Sequence, residues 1–166
     1  MRKAVFLDRD GVINKVVMRK GKICSPRTVR EFEWEDGVEQ AVSMLKQYGY
    51  LVIVATNQPD IARSRMTRIS LDTMTEKIYR SLSVDSVWVC PHDDTDGCGC
   101  RKPKPGMLLD AARVYGIDCG DSFMVGDTWK DMETGRAAKC KTILLDRPYN
   151  QRAVCHYRVK NLLSAV

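Results

Sequence analysis

Ala4-Val5-Phe6-Leu7-Asp8-Arg9-Asp10-Gly11 runs from four apolar residues straight into two carboxylates closed by a glycine. An unbroken apolar run of this length reads as a strand buried on both faces, here over 4–8; a strand with one wet face would alternate. Gly11 lets the backbone turn sharply after it. The same sentence structure recurs down the chain. Residues 50–55 (Tyr-Leu-Val-Ile-Val-Ala) lead into Thr56-Asn57-Gln58, and 84–90 lead into a Gly/Asp/Cys loop over 90–104 that carries Arg101-Lys102-Pro103. Residues 122–126 (Ser-Phe-Met-Val-Gly) lead into Asp127, and 140–145 form a fifth apolar run.

Helical patterns lie between these runs. Gly37 to Tyr48 spaces Val38, Ala41, Val42 and Leu45 on one face, and Gly49 ends it; further helices are expected from about Thr67 to Leu82, over 106–115 closed by Gly116, and over 129–138. The polar, basic stretch 14–32 reads as a hairpin-like flap. Strands alternating with helices predict an α/β fold: one doubly wound, Rossmann-like parallel sheet with helices on both faces, in a single domain over 1–166. About 45 residues separate the first motif from the second, and about as many the second from the third; the core itself fills both intervals, so no cap domain is expected.

Ligands of such sheets bind beyond the carboxyl ends of the strands, where all four motifs fall. Asp8 and Asp10 can converge on one face of the chain while Arg9 points away. Asp8 is placed to attack phosphorus. Asp10 can protonate the leaving alcohol and then activate the water that cleaves an aspartyl-phosphate. Carboxylates beside a phosphate repel it, so a divalent cation is required; magnesium takes oxygen ligands, and Asp8, the backbone carbonyl of Asp10 and Asp127 are the natural donors. Asp131, one helical turn on, can brace that shell through water or Lys130. Thr56 and Lys102 would hold the transferring phosphoryl oxygens. Taken alone, Asp-x-Asp could cap a turn and Thr56-Asn57 could cap a helix; four pieces in this order favour phosphoryl chemistry.

Cys90, His92, Cys98 and Cys100 offer three thiolates and an imidazole within eleven residues. This is a closed tetrahedral set for structural zinc, with no open position for catalysis. It would pin Arg101 and Lys102, which follow directly. His156 has no visible partners and reads as a surface residue.

The 166 residues carry a net charge of +6, with basic clusters in 19–30, 63–68 and 101–104. A positive field attracts anions from sugar phosphate to nucleic acid. Trp34, Trp88 and Trp129 are well separated, so no aromatic-interleaved basic stripe for nucleic acid is seen. No stretch reaches the length of a membrane span, and the first apolar run is too short for a signal peptide. Seven cysteines without a secretion signal favour reduced thiols and a metal site, and a cytoplasmic chain. Nothing in the pattern points beyond a monomer.

From Phe6-Leu7-Asp8-Arg9-Asp10-Gly11-Val12-Ile13-Asn14 to Val125-Gly126-Asp127 the chain resembles the haloacid dehalogenase superfamily of phosphatases. Cys90-Pro91-His92 and Cys98-Gly99-Cys100-Arg101-Lys102-Pro103 make it similar to the group that holds histidinol phosphatases and heptose-bisphosphate phosphatases. The resemblance implies Asp8 as nucleophile, Asp10 as acid and base, and Thr56, Asn57 and Lys102 at the phosphoryl group. It further implies Arg101 as a substrate-recognition residue and magnesium at Asp8, Asp10 and Asp127. Ile61-Ala62-Arg63 favours the heptose branch, and hence a small sugar bisphosphate, with Arg19, Lys20 and Lys22 of the flap able to engage the phosphate that is not cleaved. Two departures stand out. Pro59-Asp60 replaces Ser-Gly, adding a negative charge expected near the phosphate, and Thr128 replaces a lysine after the fourth-motif aspartate. Histidinol phosphate and a polynucleotide 3′-phosphate are the alternative substrates. A zinc-stabilised interaction module with an inactive core is the non-enzymatic alternative.

Overall fold

The computed structural model describes residues 1–166. Six strands form one wholly parallel sheet: β1 (Ala4–Leu7), β4 (Leu51–Asn57), β5 (Ser86–Cys90), β6 (Phe123–Gly126), β7 (Lys141–Leu145) and β8 (Tyr157–Val159), in the order β5-β4-β1-β6-β7-β8. The chain builds outward from β1 to β4 and β5, then crosses back to β6 and builds the other way. The strand order therefore reverses beside β1, which makes the carboxyl ends of β1, β4 and β6 the crevice of the sheet. Register brings those ends level, with Leu7 opposite both Val54 and Val125.

Alternation along the buried strands separates two cores. Val5, Leu7, Val52, Val54 and Val125 face α1 (Val38–Gln47) and α2 (Arg68–Ser81), meeting Val42, Leu45, Leu71, Met74 and Ile78. Ala4, Phe6, Ile53, Ala55 and Met124 point the other way, onto Met107, Leu108 and Ala111 of α3 (Gly106–Tyr115). Phe6 and Leu7 are neighbours in sequence, fully buried in different cores, each burial contributing about 1.5–3 kcal/mol. The fourth helix, α4 (Trp129–Ala137), lies on the Phe6 face. A Cβ on its Gly135 would stand 2.6 Å from Thr142 Cγ2 and 2.8 Å from Met124 Cβ, so only glycine permits this approach.

The expected helices and the five expected strands are present, and Gly116 closes α3 in the left-handed conformation at φ 65°. The flap is a hairpin, β2 (Val17–Arg19) paired antiparallel with β3 (Lys22–Cys24) across Lys20 and Gly21, both at positive φ. The sixth strand, β8, goes beyond the sequence expectation: three residues are too short a run for a period to be read. No helix is long and apolar enough to cross a membrane.

Candidate active site and metal centre

Asp8 leaves β1 with its N–H still donating to Val125 O at 2.9 Å, which fixes its carboxylate at the floor of the crevice. Lys102 Nζ lies 2.7 Å from Asp8 Oδ1 and 2.6 Å from Asp131 Oδ1. The other oxygen of Asp131 accepts from Thr128 N–H at 3.0 Å and from its hydroxyl at 2.6 Å, in the capping box that starts α4. Asp131 was expected to work through water or Lys130; it instead holds Lys102 directly. Thr128 belongs to the same arrangement, since its hydroxyl orients Asp131.

Asp10 sits beside this group, bonded on every side. Its carboxylate accepts from Arg9 Nε at 3.0 Å, Asn14 Nδ2 at 2.9 Å, Ser25 Oγ at 2.7 Å and Gln58 Nε2 at 2.9 Å. Arg9 was expected to point away. The chain has already turned at this point, with Ile13 and Asn14 donating to Arg9 O, so strand alternation no longer applies and Arg9 folds back, fully buried, onto Asp10. Burial pushes the Asp10 carboxyl up, but the Arg9 charge and the bonds from Ser25, Asn14 and Gln58 outweigh it and hold the group ionised.

Asp127 ends β6 and is almost wholly buried. Its Oδ2 accepts from the Tyr149 hydroxyl, and its backbone carbonyl from Asn150 Nδ2 at 2.8 Å. Its Oδ1 has no partner at all. Burial and then the Asp131 carboxylate push the Asp127 carboxyl up to about 7. Burial and Asp131 also raise Asp8 well above the usual carboxylate range, against the pull of Lys102. Oxygens of Asp8, Asp127 and Asp131 lie within 4.8 Å of one another around a single ammonium. A partnerless buried carboxylate oxygen in an acid-rich group is the environment that fits a hard divalent cation. Both oxygens of Asp131 are taken by Lys102 and Thr128, so within this group Asp8 and Asp127 are the side chains that could offer an oxygen to such a cation. Gly11 packs directly over this group: a Cβ there would overlap Asp127 Oδ2.

Thr56 is buried at the end of β4 and accepts from Gln58 Nε2 at 2.8 Å. Asn57 lines the pocket, but both ends of its amide are used on Lys102: Nδ2 donates to Lys102 O and Oδ1 accepts from Lys102 N–H, each at 3.0 Å. That reciprocal pair positions the lysine.

The Cys/His loop closes on itself. The Sγ atoms of Cys90, Cys98 and Cys100 are 3.3 to 3.7 Å apart, and His92 Nδ1 is 3.5 Å from Cys90 Sγ and 3.4 Å from Cys100 Sγ. A tetrahedral zinc with ordinary bond lengths has S–S edges of about 3.8 Å and S–N edges of about 3.6 Å. The donor set therefore has the size as well as the chemistry of a closed zinc site. Arg101 is held behind it, Nε donating to Asp94 Oδ1 at 2.8 Å and Nη1 to His92 O at 3.1 Å.

Three other expectations change. Asp60 does not add charge to the phosphate site; its carboxylate is 2.6 Å from Arg27 Nε and 4.0 Å from Arg63, both outside the crevice. Arg19 is occupied by Glu31 at 2.6 Å and Ser25 O at 2.9 Å, so it is not free to meet a substrate phosphate. His156, exposed as expected, does have a partner, accepting from Thr142 N–H at 3.0 Å where β8 is tied to β7. Gln58, part of the second motif but given no role there, bonds both Asp10 and Thr56. Ser25, Tyr149 and Asn150 also reach the site, from loops whose position no local pattern encodes.

Residues 99–157 match the HAD-hydrolase-like family model. Over 157 residues, 87% of this chain and 82% of the relative, the sequence is 40% identical to the D-glycero-beta-D-manno-heptose-1,7-bisphosphate 7-phosphatase of Pasteurella multocida (strain Pm70). It is 39% identical over 156 residues to the protein of the same name from Escherichia coli (strain K12), covering 87% of this chain and 78% of that one. Among solved structures, the D,D-heptose 1,7-bisphosphate phosphatase from B. bronchiseptica, complexed with magnesium and phosphate, superposes with a TM-score of 0.87 at 30% identity, over 98% of this chain and 95% of that one.

Proposed function

Since the chain belongs to the haloacid-dehalogenase-like phosphatases, among the heptose-1,7-bisphosphate phosphatases, it is a phosphoric monoester hydrolase, and we propose that it removes one phosphate from a D-glycero-D-manno-heptose 1,7-bisphosphate through an aspartyl-phosphate. The observation that carries this reading is the group Asp8, Lys102, Asp131 and Asp127: a carboxylate at the crevice floor, a buried ammonium 2.7 Å from it, and a partnerless carboxylate oxygen beside both.

Asp8 attacks phosphorus, forming a new O–P bond as the ester P–O bond breaks, and Asp10 gives its proton to the departing alkoxide. Asp10 then takes a proton from water, whose oxygen attacks the same phosphorus and releases Asp8 and inorganic phosphate. The bonds from Arg9, Asn14, Ser25 and Gln58 favour the ionised Asp10 needed in the second half. An arriving phosphate dianion raises its pKa again and favours the protonated form needed in the first. Lys102 neutralises charge on the phosphoryl oxygens while Asp131 and Asn57 keep it aimed, and Thr56 offers its hydroxyl and N–H. Asp8, Asp127 and the carbonyl of Asp10 would hold magnesium, which supplies charge neutralisation between carboxylates and phosphate when bound. Cys90, His92, Cys98 and Cys100 would hold a structural zinc that fixes Arg101 and Lys102. The chain acts as one domain, and Arg101, Lys102 and Lys130 at the crevice suit an anionic sugar.

Turnover of heptose 1,7-bisphosphate, histidinol phosphate and a 3′-phosphorylated oligonucleotide, with magnesium, tests the assignment. The bisphosphate should give the highest kcat/KM, and Asp8→Asn should fold normally and lose nearly all of it. A preference for either other substrate, or wild-type turnover by Asp8→Asn, would overturn it.

A further inference from the structure

The catalytic pocket has a volume of about 240 Å³, and three cations line it. Lys102 is committed to Asp8 and Asp131, and Arg101 to Asp94. Lys130 has no carboxylate within 4.0 Å; its nearest ring is Trp129, with Nζ 5.8 Å from the centroid. A half-buried ammonium without a counter-ion, at the wall of an anion site, is available to a ligand.

Lys130 also stands at a junction. A second and larger cleft, about 850 Å³, opens between the start of α4 and the loop over 148–154, and Ile23, Thr128 and Lys130 line both cavities. Trp129, Tyr149 and Arg152 continue its walls. A bisphosphate with one phosphate on Asp8 and Lys102 must direct its other phosphate out of the small pocket, because the two groups are at opposite ends of the sugar. That second group carries about −1.5 to −2 charges at neutral pH. On the flap side, Arg19 is already paired, and Lys20 and Lys22 lie at the exposed hairpin without lining the pocket. The larger cleft is the exit that offers both volume and positive charge.

Building on the bisphosphate reading above, we propose that Lys130 is a specificity-determining cation that binds the phosphate not being hydrolysed, and that the cleft between α4 and residues 148–154 receives that end of the sugar. The contact acts on substrate binding, while the reacting atoms remain with Asp8, Asp10 and Lys102.

The test compares wild type with Lys130→Ala, Lys130→Arg and Lys130→Glu on heptose 1,7-bisphosphate, on the heptose monophosphate that bears only the scissile phosphate, and on p-nitrophenyl phosphate. Lys130→Ala should raise KM for the bisphosphate by about tenfold more than for either monophosphate, with kcat changing far less than KM. Lys130→Arg should recover most of the loss and Lys130→Glu should deepen it. Melting curves of all four proteins should coincide within a few degrees, since the side chain is half exposed. Equal changes for mono- and bisphosphate, or an arginine variant as weak as alanine, would overturn the role of Lys130 while leaving the substrate assignment standing. A wild type that does not prefer the bisphosphate over the monophosphate would instead overturn the substrate assignment, and this role with it.

Discussion

Arg27 Nε donates to Asp60 Oδ2 at 2.6 Å, and this ion pair fastens the segment behind the flap to the loop that follows β4. Arg63, three residues on, reaches 2.6 Å from Asp93 in the Cys/His loop. The three loops around the crevice are thereby joined to each other through Asp60 and Arg63. The charge of Asp60 serves the rim of the site.

Asp60→Asn should therefore loosen the flap. A charge-assisted hydrogen bond contributes about 1.5–3 kcal/mol, so the amides of β2 and β3 should exchange with solvent roughly tenfold faster or more, while those of β1 and β4 are unchanged. Hydrogen exchange read by mass spectrometry checks this, and identical flap protection in the variant would contradict it.

A methyl group at position 126 should disable the site without touching any residue that reacts. A Cβ on Gly126 would stand 2.2 Å from Asp131 Cβ and 2.3 Å from its Cγ. Asp131 must then move, and Lys102 with it. Misplacement by about 1 Å can cost about 100-fold in rate, and overpacking typically costs about 1–3 kcal/mol. Gly126→Ala is expected to melt a few degrees lower and to lose at least that factor in kcat; near-normal kcat would show that the Asp131–Lys102 contact is dispensable.

Magnesium and protons should compete at Asp127. In the metal-free protein its carboxyl sits at about 7, above the unfolded value of about 3.9. The folded form then holds a proton that the unfolded form has lost, so metal-free stability should fall as pH rises from about 4 to about 7. Bound magnesium keeps Asp127 ionised and should remove that slope. Its affinity, measured by titration calorimetry, should rise with pH and level off above about 7. A pH-independent magnesium affinity between pH 6 and 8 would argue against Asp127 as a ligand.

Protein purified without added zinc should contain close to one zinc per chain, and Cys98→Ser should lose most of it. A structural zinc contributes several kcal/mol to folding. At about 2–4 °C per kcal/mol for a chain of this size, the variant should melt about 10 °C lower or more. Activity should fall with it as Arg101 and Lys102 lose their support. A metal-free wild type with full activity would refute the site.

Local sequence signals specify five strands of the sheet, the four helices and the order in which the four motifs meet the strand ends. Each depends on a local signal: an apolar run, a helical period, or a glycine placed where a turn must follow. Asp8, Thr56, Lys102 and Asp127 were legible for the same reason, since each follows such a run or closes the loop after one. The Cys/His cluster was legible from spacing alone. The tertiary structure decided what no local signal carries. Arg9 lies on Asp10 because the chain turns before alternation could direct it outward, and Asp131 reaches Lys102, 29 residues away, because α4 begins against the end of β6. Tyr149 meets Asp127, and Asp60 meets Arg27, only once loops distant in sequence have been brought together. β8 exists because β7 offers an edge to three residues that have too little apolar period to announce a strand. Hydrophobic periodicity specifies which face of an element is buried; which polar side chains then become neighbours depends on where packed elements end, and that is fixed by the assembled core.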